Sequence, residues 1–443
     1  MDNLILEQQR RVVAVGSKLK QWYGVRIDEA LSSPDLVRIH NGNPTLHATL
    51  PVHNQMKACL LYDNGTVNYY LDPTDWTKKA DGSASNLTGA DGQVMIEVPE
   101  YYRKSHNISN GVYDHMVSLS PIPGWQKVDK FYYGAFEAAV ERGVNKLSSV
   151  VNTTAAFRGG NNTSAWDAAD NSLLGKPATS ISLANFRTYA RNRAAGTKWN
   201  VNTWRQSMLI YELYMIEYAT LNSQKAVNAS LTVDGYKQGG LGNGVTTANS
   251  TEWNNFSSYN PFINCGASNS LASGSGEVSV TITNFGGAGV NRTFAVPRYR
   301  GIENPFGHIW EWQDGASIFH EGAGGVSKFY TCDNPTNFAD GTTANYDYRS
   351  ELPPSAGAGG TYVKTVTHDE KGVIIPLSGG AGSGSVTYFC DYYYTPGLVN
   401  AWRACLRGGS ADNTASAGFV CLSTYVAASL TNANFGSRLC YIP

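Results

Sequence analysis

Two stretches of the chain have the spacing of apolar residues that is typical of helices. The stretch from Leu183 to Asn192 places its apolar residues on one face, and Ser182 can cap its first turn. The stretch from Trp204 to Leu221, which Asn202 or Thr203 can cap, is apolar nearly all round. A helix with that pattern is buried in a core, so we expect its Met and aromatic residues to pack there rather than to bind a cofactor.

The rest of the pattern predicts mainly short strands. Lys57 to Tyr62 and Thr66 to Leu71 flank an Asp-Asn-Gly turn, which predicts a hairpin. Gln93 to Tyr102 predicts another strand, and Gly124 to Phe136 predicts a buried one. After it we expect a helix from Ala135 to about Val150.

The chain divides into two predicted domains, because its 443 residues exceed what one core usually supports. Residues 1–130 predict a small β-rich module for attachment or oligomer contact, opened by a short amphipathic helix from Leu4 to Trp22. Residues 131–443 form the second domain. From Gly235 onward helical signals end, and loops rich in Gly, Ser, Thr and Asn separate short strands. The predicted fold class is therefore α+β.

Composition and charge exclude several classes of function. Aromatic residues make up 12% of the chain and charged residues only 16%, which is typical of folded, loop-rich extracellular or virion proteins rather than disordered chains. The net charge is −1 and basic residues do not cluster, so we expect no nucleic-acid partner. No apolar run is long enough for membrane insertion. The first twenty residues lack the apolar core of a secretory signal, so action outside a cell would need another route, such as virion release by lysis.

Candidate chemistry is sparse. The seven cysteines are widely spaced, which favours buried thiols over disulfides and favours a zinc site least. The histidines show no ligand spacing, so we expect no cofactor; a structural calcium ion stays open because Asn and Asp are frequent in the loops. Paired carboxylates for glycan hydrolysis could come from Glu311, Asp314, Glu321 and Asp391, although a structural role for Glu311 between two tryptophans is favoured.

Two segments carry a resemblance to a known fold. Asn304 to Gly315, with the sequence NPFGHIWEWQDG, resembles the G-N-V-W-E-W-x-x-D signature of the formylglycine-generating-enzyme branch of C-type-lectin-like folds. Arg403 to Ser410, with the sequence RACLRGGS, is similar to the R-G-G-S segment near the end of that fold. The resemblance covers roughly residues 130 to 443. It implies a C-type-lectin-like domain over 131–443, in which the two predicted helices are the characteristic pair.

The resemblance points away from the enzymatic branch of this fold. That branch places two copper-binding cysteines just after R-G-G-S, whereas here no cysteine follows Ser410 until Cys421, and Cys405 precedes the motif. The other branch contains the variable proteins of diversity-generating retroelements, many of them phage tail receptor-binding proteins. Ala417-Gly418-Phe419 and the segment from Gly436 to Leu439 resemble that branch, and the Asp72-Pro73 and 98–102 segments look like phage tail proteins.

The resemblance implies a variable ligand-binding segment over about residues 400–435. Gly408, Gly409, Gly418 and Gly436 would allow tight turns. Burial of four apolar residues would anchor the segment: Leu406, Phe419, Leu439 and Tyr441. Between them lie the side chains expected to face a ligand: Asp412, Asn413, Ser423, Thr424, Tyr425, Val426, Leu430, Thr431 and Asn434.

The implied function is that of a bacteriophage tail-tip or tail-fibre protein, made in the host bacterial cytoplasm and carried in the virion tail. Its implied partners are a host cell-surface protein or polysaccharide and other virion tail proteins, and a homotrimer would raise avidity. We expect no catalytic residue. Two alternatives remain: an enzyme on the same fold, with a metal held by Cys405 and Cys421 or paired carboxylates in a cleft, and a purely structural tail component.

Overall fold

The computed structural model describes residues 21–243, 245, 248–322, 325–352, 358–369, 371, 374–396 and 399–443. The helix predicted from Leu4 to Trp22 lies outside these residues, except for its last two positions. Within the described residues, no helix is both long enough and apolar enough to cross a membrane.

Strands account for most of the regular structure. The first eleven described strands are β1 (Tyr23–Asp28), β2 (Val37–His40), β3 (Lys57–Leu61), β4 (Val67–Tyr70), β5 (Gln93–Val98), β6 (Tyr101–Ser109), β7 (Val112–Ser118), β8 (Gln126–Val128), β9 (Phe131–Glu137), β10 (Ala139–Glu141) and β11 (Lys146–Ser148). The next are β12 (Trp199–Val201), β13 (Val227–Asn228), β14 (Gln238–Gly239), β15 (Gly276–Ile282), β16 (Arg292–Tyr299), β17 (Ile302–Glu303), β18 (Trp310–Glu321) and β19 (Ser327–Thr331). The last are β20 (Asp347–Glu351), β21 (Ala358–Val366), β22 (Pro376–Gly379), β23 (Tyr392–Pro396), β24 (Asn400–Gly408), β25 (Gly418–Ser423), β26 (Phe435–Gly436) and β27 (Arg438–Tyr441).

Helices are few among the described residues. The α-helices are α1 (Thr45–Thr49), α2 (Leu183–Arg191), α3 (Trp204–Tyr218) and α4 (Ser250–Ser257). Short 3-10 helices span His53–Gln55, Ala155–Phe157, Ser164–Trp166, Asn269–Leu271, Pro335–Asn337 and Thr414–Ser416. The molecule is therefore mostly β with few helices, and its assignment to a C-type-lectin-like fold stays a prediction.

The strands form two large sheets and several smaller ones. The nine-stranded sheet has the order β20-β19-β18-β24-β25-β23-β21-β22, with β26 paired to β18. The six-stranded sheet has the order β12-β27-β9-β5-β3-β4. A five-stranded sheet has the order β2-β1-β7-β6-β8, and a three-stranded sheet has the order β15-β16-β17. Two strand pairs, β10-β11 and β13-β14, complete the set.

The predicted domain boundary at residue 130 falls inside the six-stranded sheet. In this sheet β5 pairs with β9, so Val98 lies opposite Phe131, and β27 from the C-terminus pairs with β9 on the other side. The β-rich block and the second block therefore share one set of backbone hydrogen bonds. The role of residues 1–130 in attachment or oligomer contact stays a prediction.

The two strongest helix predictions are confirmed. The Ser182 hydroxyl accepts from the backbone N–H of Asn185 at the start of α2, and the Thr203 hydroxyl accepts from that of Gln206 at the start of α3. Every residue of α3 except Arg205 is buried, as its all-round apolar pattern predicts.

The helix predicted from Ala135 to Val150 is wrong. The end of β9 and the antiparallel pair β10-β11 occupy this stretch instead. Val140 lies opposite Leu147 across this pair, and Asn145 takes a φ of 49° in the turn between the two strands. The sequence also failed to predict α4, which lies beyond Gly235, is capped by Asn249 and buries Trp253.

Two hydrophobic clusters meet at the nine-stranded sheet. The larger one surrounds α3 and includes Ile318, Phe329 and Cys405. The second contains residues of α2 and of β27, together with Trp312 and Leu406. Because side chains alternate along a strand, the two clusters lie on opposite faces of β24. All seven cysteines are buried as free thiols, in agreement with the prediction of buried thiols.

Candidate functional site

The C-terminal segment is built on strands of both large sheets. β24 and β25 are neighbours in the nine-stranded sheet, and β27 lies between β12 and β9 in the six-stranded sheet. The predicted anchors Leu406, Phe419, Leu439 and Tyr441 are all buried, as expected. Their burial holds the chain on both sides of the loop that connects β25 to β26.

Glycines in this segment serve two different purposes. Gly408 and Gly409 have φ angles of 95° and 81°, which agrees with the predicted tight turn. Gly418 is needed for another reason, because a Cβ there would lie 2.0 Å from Oδ1 of Asp391. Gly436 is confined in the same way by a neighbouring side chain. Glycine is therefore required at these two positions by close packing, and not by the predicted tight turn.

A buried set of charged side chains lies beneath the segment. We call Glu311, Arg407 and Arg438 the charged frame; each is at most 3% exposed. Arg438 donates from Nε to Oε1 of Glu311 (2.9 Å), its Nη2 forms an ion pair with the same oxygen (2.8 Å), and Oε2 of Glu311 accepts from Nδ2 of Asn202 (2.8 Å). Arg438 also donates to the backbone carbonyls of Gly134, Glu303 and Asn304. The frame thus joins β27, β18 and the start of α3.

A second buried pair fixes α2 against β18. Arg187 donates from Nε to Oδ2 of Asp314 (2.7 Å) and from Nη2 to Oδ1 (2.8 Å), which is a bidentate arrangement. The same Nη2 donates to Asp340 (2.6 Å), so the loop before β20 is held as well.

Asp391 connects β25 to the residues before β23. Its Oδ2 accepts from the backbone N–H of Val420 (2.7 Å) and from the hydroxyl of Ser223 (3.3 Å). Burial raises the pKa of Asp391 well above its ordinary value. The carboxyl lies directly against Gly418, which explains why a side chain does not fit there.

The carboxylates considered for glycan hydrolysis each have a structural partner. Glu311 binds Arg438, Asp314 binds Arg187, Glu321 binds Lys328, and Asp391 accepts from backbone N–H groups. None of the four lines the groove described below. Their contacts explain their positions without a catalytic role.

Cys405 and Cys421 lie on opposite faces of the nine-stranded sheet. Cys405 packs in the cluster around α3, whereas Cys421 packs in the cluster that contains α2. The two thiols therefore cannot jointly hold a metal ion, and burial raises the pKa of both well above its ordinary value. Across the described residues, no three His, Cys, Asp or Glu side chains are grouped so that they could hold a metal ion.

Asp412 and Asn413 are half-buried parts of the turn after the R-G-G-S motif. Oδ1 of Asn413 accepts from the backbone N–H (2.6 Å) and the hydroxyl (2.9 Å) of Ser410, and its Nδ2 donates to the hydroxyl of Tyr394 (3.0 Å). Oδ1 of Asp412 accepts from the Ser410 hydroxyl (2.7 Å). Both side chains help to shape the turn, and their predicted contact with a ligand stays a prediction.

Three residues predicted to face a ligand are buried. Ser423 ends β25, and Val426 packs in the cluster that contains α2. Thr424 is fully buried, and its hydroxyl lies 3.1 Å from that of Tyr393. Their side chains lie inside the packed structure rather than at its surface, and their predicted contact with a ligand stays a prediction.

The loop over residues 424–434, which we call the display loop, is held by its main chain. Its carbonyl groups accept hydrogen bonds from backbone N–H groups of β24, of β18 and of the chain leading into α2. The bonds join Ala404 to Val426 (2.9 Å), Leu183 to Ala428 (3.1 Å), Ser180 to Asn432 (3.0 Å) and Trp310 to Asn434 (2.9 Å). None of these bonds involves a side chain of the loop.

The remaining predicted residues of the loop are accessible. Tyr425 is 54% exposed and Leu430 is 44% exposed. Thr431 is exposed, and Asn434 is half-buried. These four side chains lie on one loop, between β25 and β26.

The sequence did not predict a groove beside the display loop. This side groove has a volume of about 300 Å³ and is lined by residues of five regions: Ser182, Leu183, Ala184, Ala316, Ser317, Asp340, Gly341, Trp402, Arg403, Ala404, Ala427, Ala428 and Ser429. The only sequence signal was Trp402, an aromatic residue in a strand, and such a signal does not show which side of the strand is open.

No protein-family model and no curated protein sequence matches the chain. Among solved structures it is similar to the Major Tropism Determinant U1 Variant, with 12% identity over 87% of this chain and 71% of that chain and a TM-score of 0.27. The Major Tropism Determinant M1 Variant has 12% identity over 87% of this chain and 71% of that chain, with a TM-score of 0.28. The P3c Variant has 11% identity over 95% of this chain and 72% of that chain, with a TM-score of 0.26. Similarity at these TM-scores carries no argument about fold or function.

Proposed function

We propose that the chain is a receptor-binding protein of a bacteriophage tail, which recognises a ligand on the host cell surface through its C-terminal segment. The observation that carries the proposal is the way the display loop is held. Four backbone hydrogen bonds fix its path, while Tyr425, Leu430 and Thr431 are exposed. Such a loop can change these side chains without losing its shape, which is what a recognition surface on a rigid scaffold requires.

The exposed side chains suit binding rather than catalysis. Tyr425 offers a large amphipathic surface at a low cost in conformational entropy, and Thr431 offers an adaptable hydroxyl. A loop of this size forms a small interface, so one copy should bind weakly. We propose that a homotrimer in the virion tail, in contact with other tail proteins, supplies the avidity. The chain needs no enzymatic step or cofactor for this role.

The experiment removes the exposed side chains and leaves the backbone bonds in place. In the triple variant Tyr425→Ser, Leu430→Ser, Thr431→Ala, we expect binding of the fluorescently labelled chain to host cells to fall at least tenfold, while its thermal unfolding stays unchanged. The matched control is Val233→Ser with Val386→Ser, which changes exposed residues outside the segment. Unchanged cell binding by the triple variant would contradict the proposal and favour a purely structural tail component.

A further inference from the structure

Four aromatic side chains form a row beside the side groove, and we call them the aromatic strip. Tyr348 on β20 lies 5.7 Å from Tyr330 on β19, measured between ring centroids. Tyr330 lies 6.3 Å from Trp402 on β24, and Trp402 lies 4.9 Å from Phe319 on β18. Three of the four residues lie outside the 400–435 segment.

The aromatic strip lies on the face of the nine-stranded sheet that is opposite the cluster around α3. The residues that alternate with it, Ile318 and Phe329, are fully buried in the cluster around α3. By contrast, Tyr348 is 53% exposed, and Phe319, Tyr330 and Trp402 are half-buried. A row of large aromatic rings that stays partly open to solvent favours a binding surface.

The strip leads into the side groove through Trp402, which belongs to both. Most residues that line the groove have small side chains, so a ring-sized group can enter it. At its wall, Ser317 is 2% exposed, and its hydroxyl has no hydrogen-bond partner among the described residues. A buried hydroxyl without a partner is costly, and a polar ligand group could satisfy it.

Charged groups of both signs lie around the strip. Lys328 binds Glu321 at one side of it, and Asp340 on the groove binds Arg187. Arg403 also lines the groove, and its Nε has no hydrogen-bond partner among the described residues. The surface therefore favours a polar ligand made of flat units in a row, with oxygen atoms that can accept from Arg403.

We infer that the aromatic strip and the side groove bind a polysaccharide. The C–H bonds on the face of a sugar ring suit the negative face of an aromatic ring, and successive sugars can stack on successive rings of the strip. Hydroxyl groups of a terminal sugar suit the Ser317 hydroxyl and the Asp340 carboxylate in the groove. This inference rests on the proposed function, since it names the chemical class of the host ligand.

The first test treats the host cells before labelled chain is added. Mild periodate cleaves the vicinal diols of sugars, and proteinase K removes surface proteins. We expect binding to be lost after periodate and kept after proteinase K. Binding that survives periodate and disappears after proteinase K would overturn the inference in favour of a protein receptor, and the proposed function would still stand.

The second test changes the strip. We expect Tyr330→Ala and Trp402→Ala each to weaken binding to untreated cells roughly tenfold, and Tyr348→Phe to keep it because the ring remains. Tyr62→Ala is the control, because Tyr62 is also exposed and lies outside the strip. Near-ultraviolet circular dichroism of each variant verifies that the fold is intact. A folded Tyr330→Ala variant with unchanged binding would contradict the inference.

The two proposals fail in different ways. If the display-loop triple variant binds host cells as well as the parent chain and the strip variants bind more weakly, the loop proposal fails and the strip remains a binding site. If the loop variant loses binding and the strip variants keep it, the polysaccharide inference fails alone.

Discussion

The charged frame and the display loop lie next to each other and are held by opposite means. The frame is held by side chains: Arg438 binds Glu311 and three backbone carbonyls, all buried. The loop is held by its own main-chain carbonyls, and Tyr425 and Leu430 are exposed. Substitutions in the frame therefore change stability, whereas the exposed side chains of the loop can be exchanged for others that contact a ligand.

The largest effect should come from breaking the frame. Arg438→Met leaves the Glu311 carboxylate buried without its main partner, so we expect a loss of about 3–5 kcal/mol in the free energy of unfolding. Urea denaturation followed by circular dichroism measures this loss. Arg292→Met is the matched control, because Arg292 pairs with Glu252 at the surface, where solvent screens the charges, and its loss should be much smaller. Equal losses in the two variants would remove the distinction between frame and surface.

A smaller loss should follow from filling the space at Gly418. The new methyl group of Gly418→Ala would lie 2.0 Å from Oδ1 of Asp391, so the backbone of β25 or the buried carboxyl must shift. We expect a loss of about 1–3 kcal/mol in urea denaturation. Gly143→Ala is the control, since a Cβ there meets open space. If Gly418→Ala is as stable as Gly143→Ala, then β25 can shift to accept a methyl group, and close packing does not hold it rigidly.

Local patterns explain which parts could be predicted from sequence. The cap residues and apolar spacing of α2 and α3 lie within a few turns of chain, and so does the Gly408-Gly409 turn. The charged frame could not be predicted, because Glu311 meets Arg438 across 127 positions of sequence.

Burial within the C-terminal segment also escaped prediction. Thr424 and Val426 lie in a segment rich in Ser, Thr, Asn and Ala, which is typical of solvent loops, yet both side chains are buried. Their burial depends on the path of β23 and β24, which local sequence does not encode. For the same reason the aromatic strip became visible only when β18, β19, β20 and β24 were placed side by side.

One side chain from outside the display loop also holds it, and this contact makes the stability of the chain depend on pH. Nε2 of His320 donates to the carbonyl oxygen of Thr424 (3.2 Å), and its Nδ1 contacts the hydroxyl of Ser327. Burial lowers the pKa of His320, and Arg403 adds to the shift. The unfolded chain therefore takes up this proton more readily, so stability falls as the pH drops below about 6.5.

The variant His320→Gln tests this contribution. Between pH 6.5 and pH 4, we expect the free energy of unfolding of this variant to depend less on pH than that of the parent chain. The difference between the two chains should be smaller than the loss expected for Gly418→Ala. Urea denaturation at several pH values measures the slope. His106→Asn is the control, because His106 is exposed, and it should not change the dependence of stability on pH. Parallel curves for the parent chain and His320→Gln would show that this side chain does not link the loop to the sheet.

The smallest effect on stability belongs to the display loop itself. Leu430→Ser changes an exposed side chain and keeps every backbone bond of the loop, so its free energy of unfolding should stay within about 0.5 kcal/mol of the parent chain. Val426→Ala, four residues earlier, removes buried methyl groups and should cost about 1–3 kcal/mol. The pair separates burial from position, since both residues lie on the same loop. If Leu430→Ser proved as costly as Val426→Ala, exposed side chains would contribute to holding the loop. Exchange of its residues would then change its shape, and the display loop could not vary its ligand contacts independently of the fold.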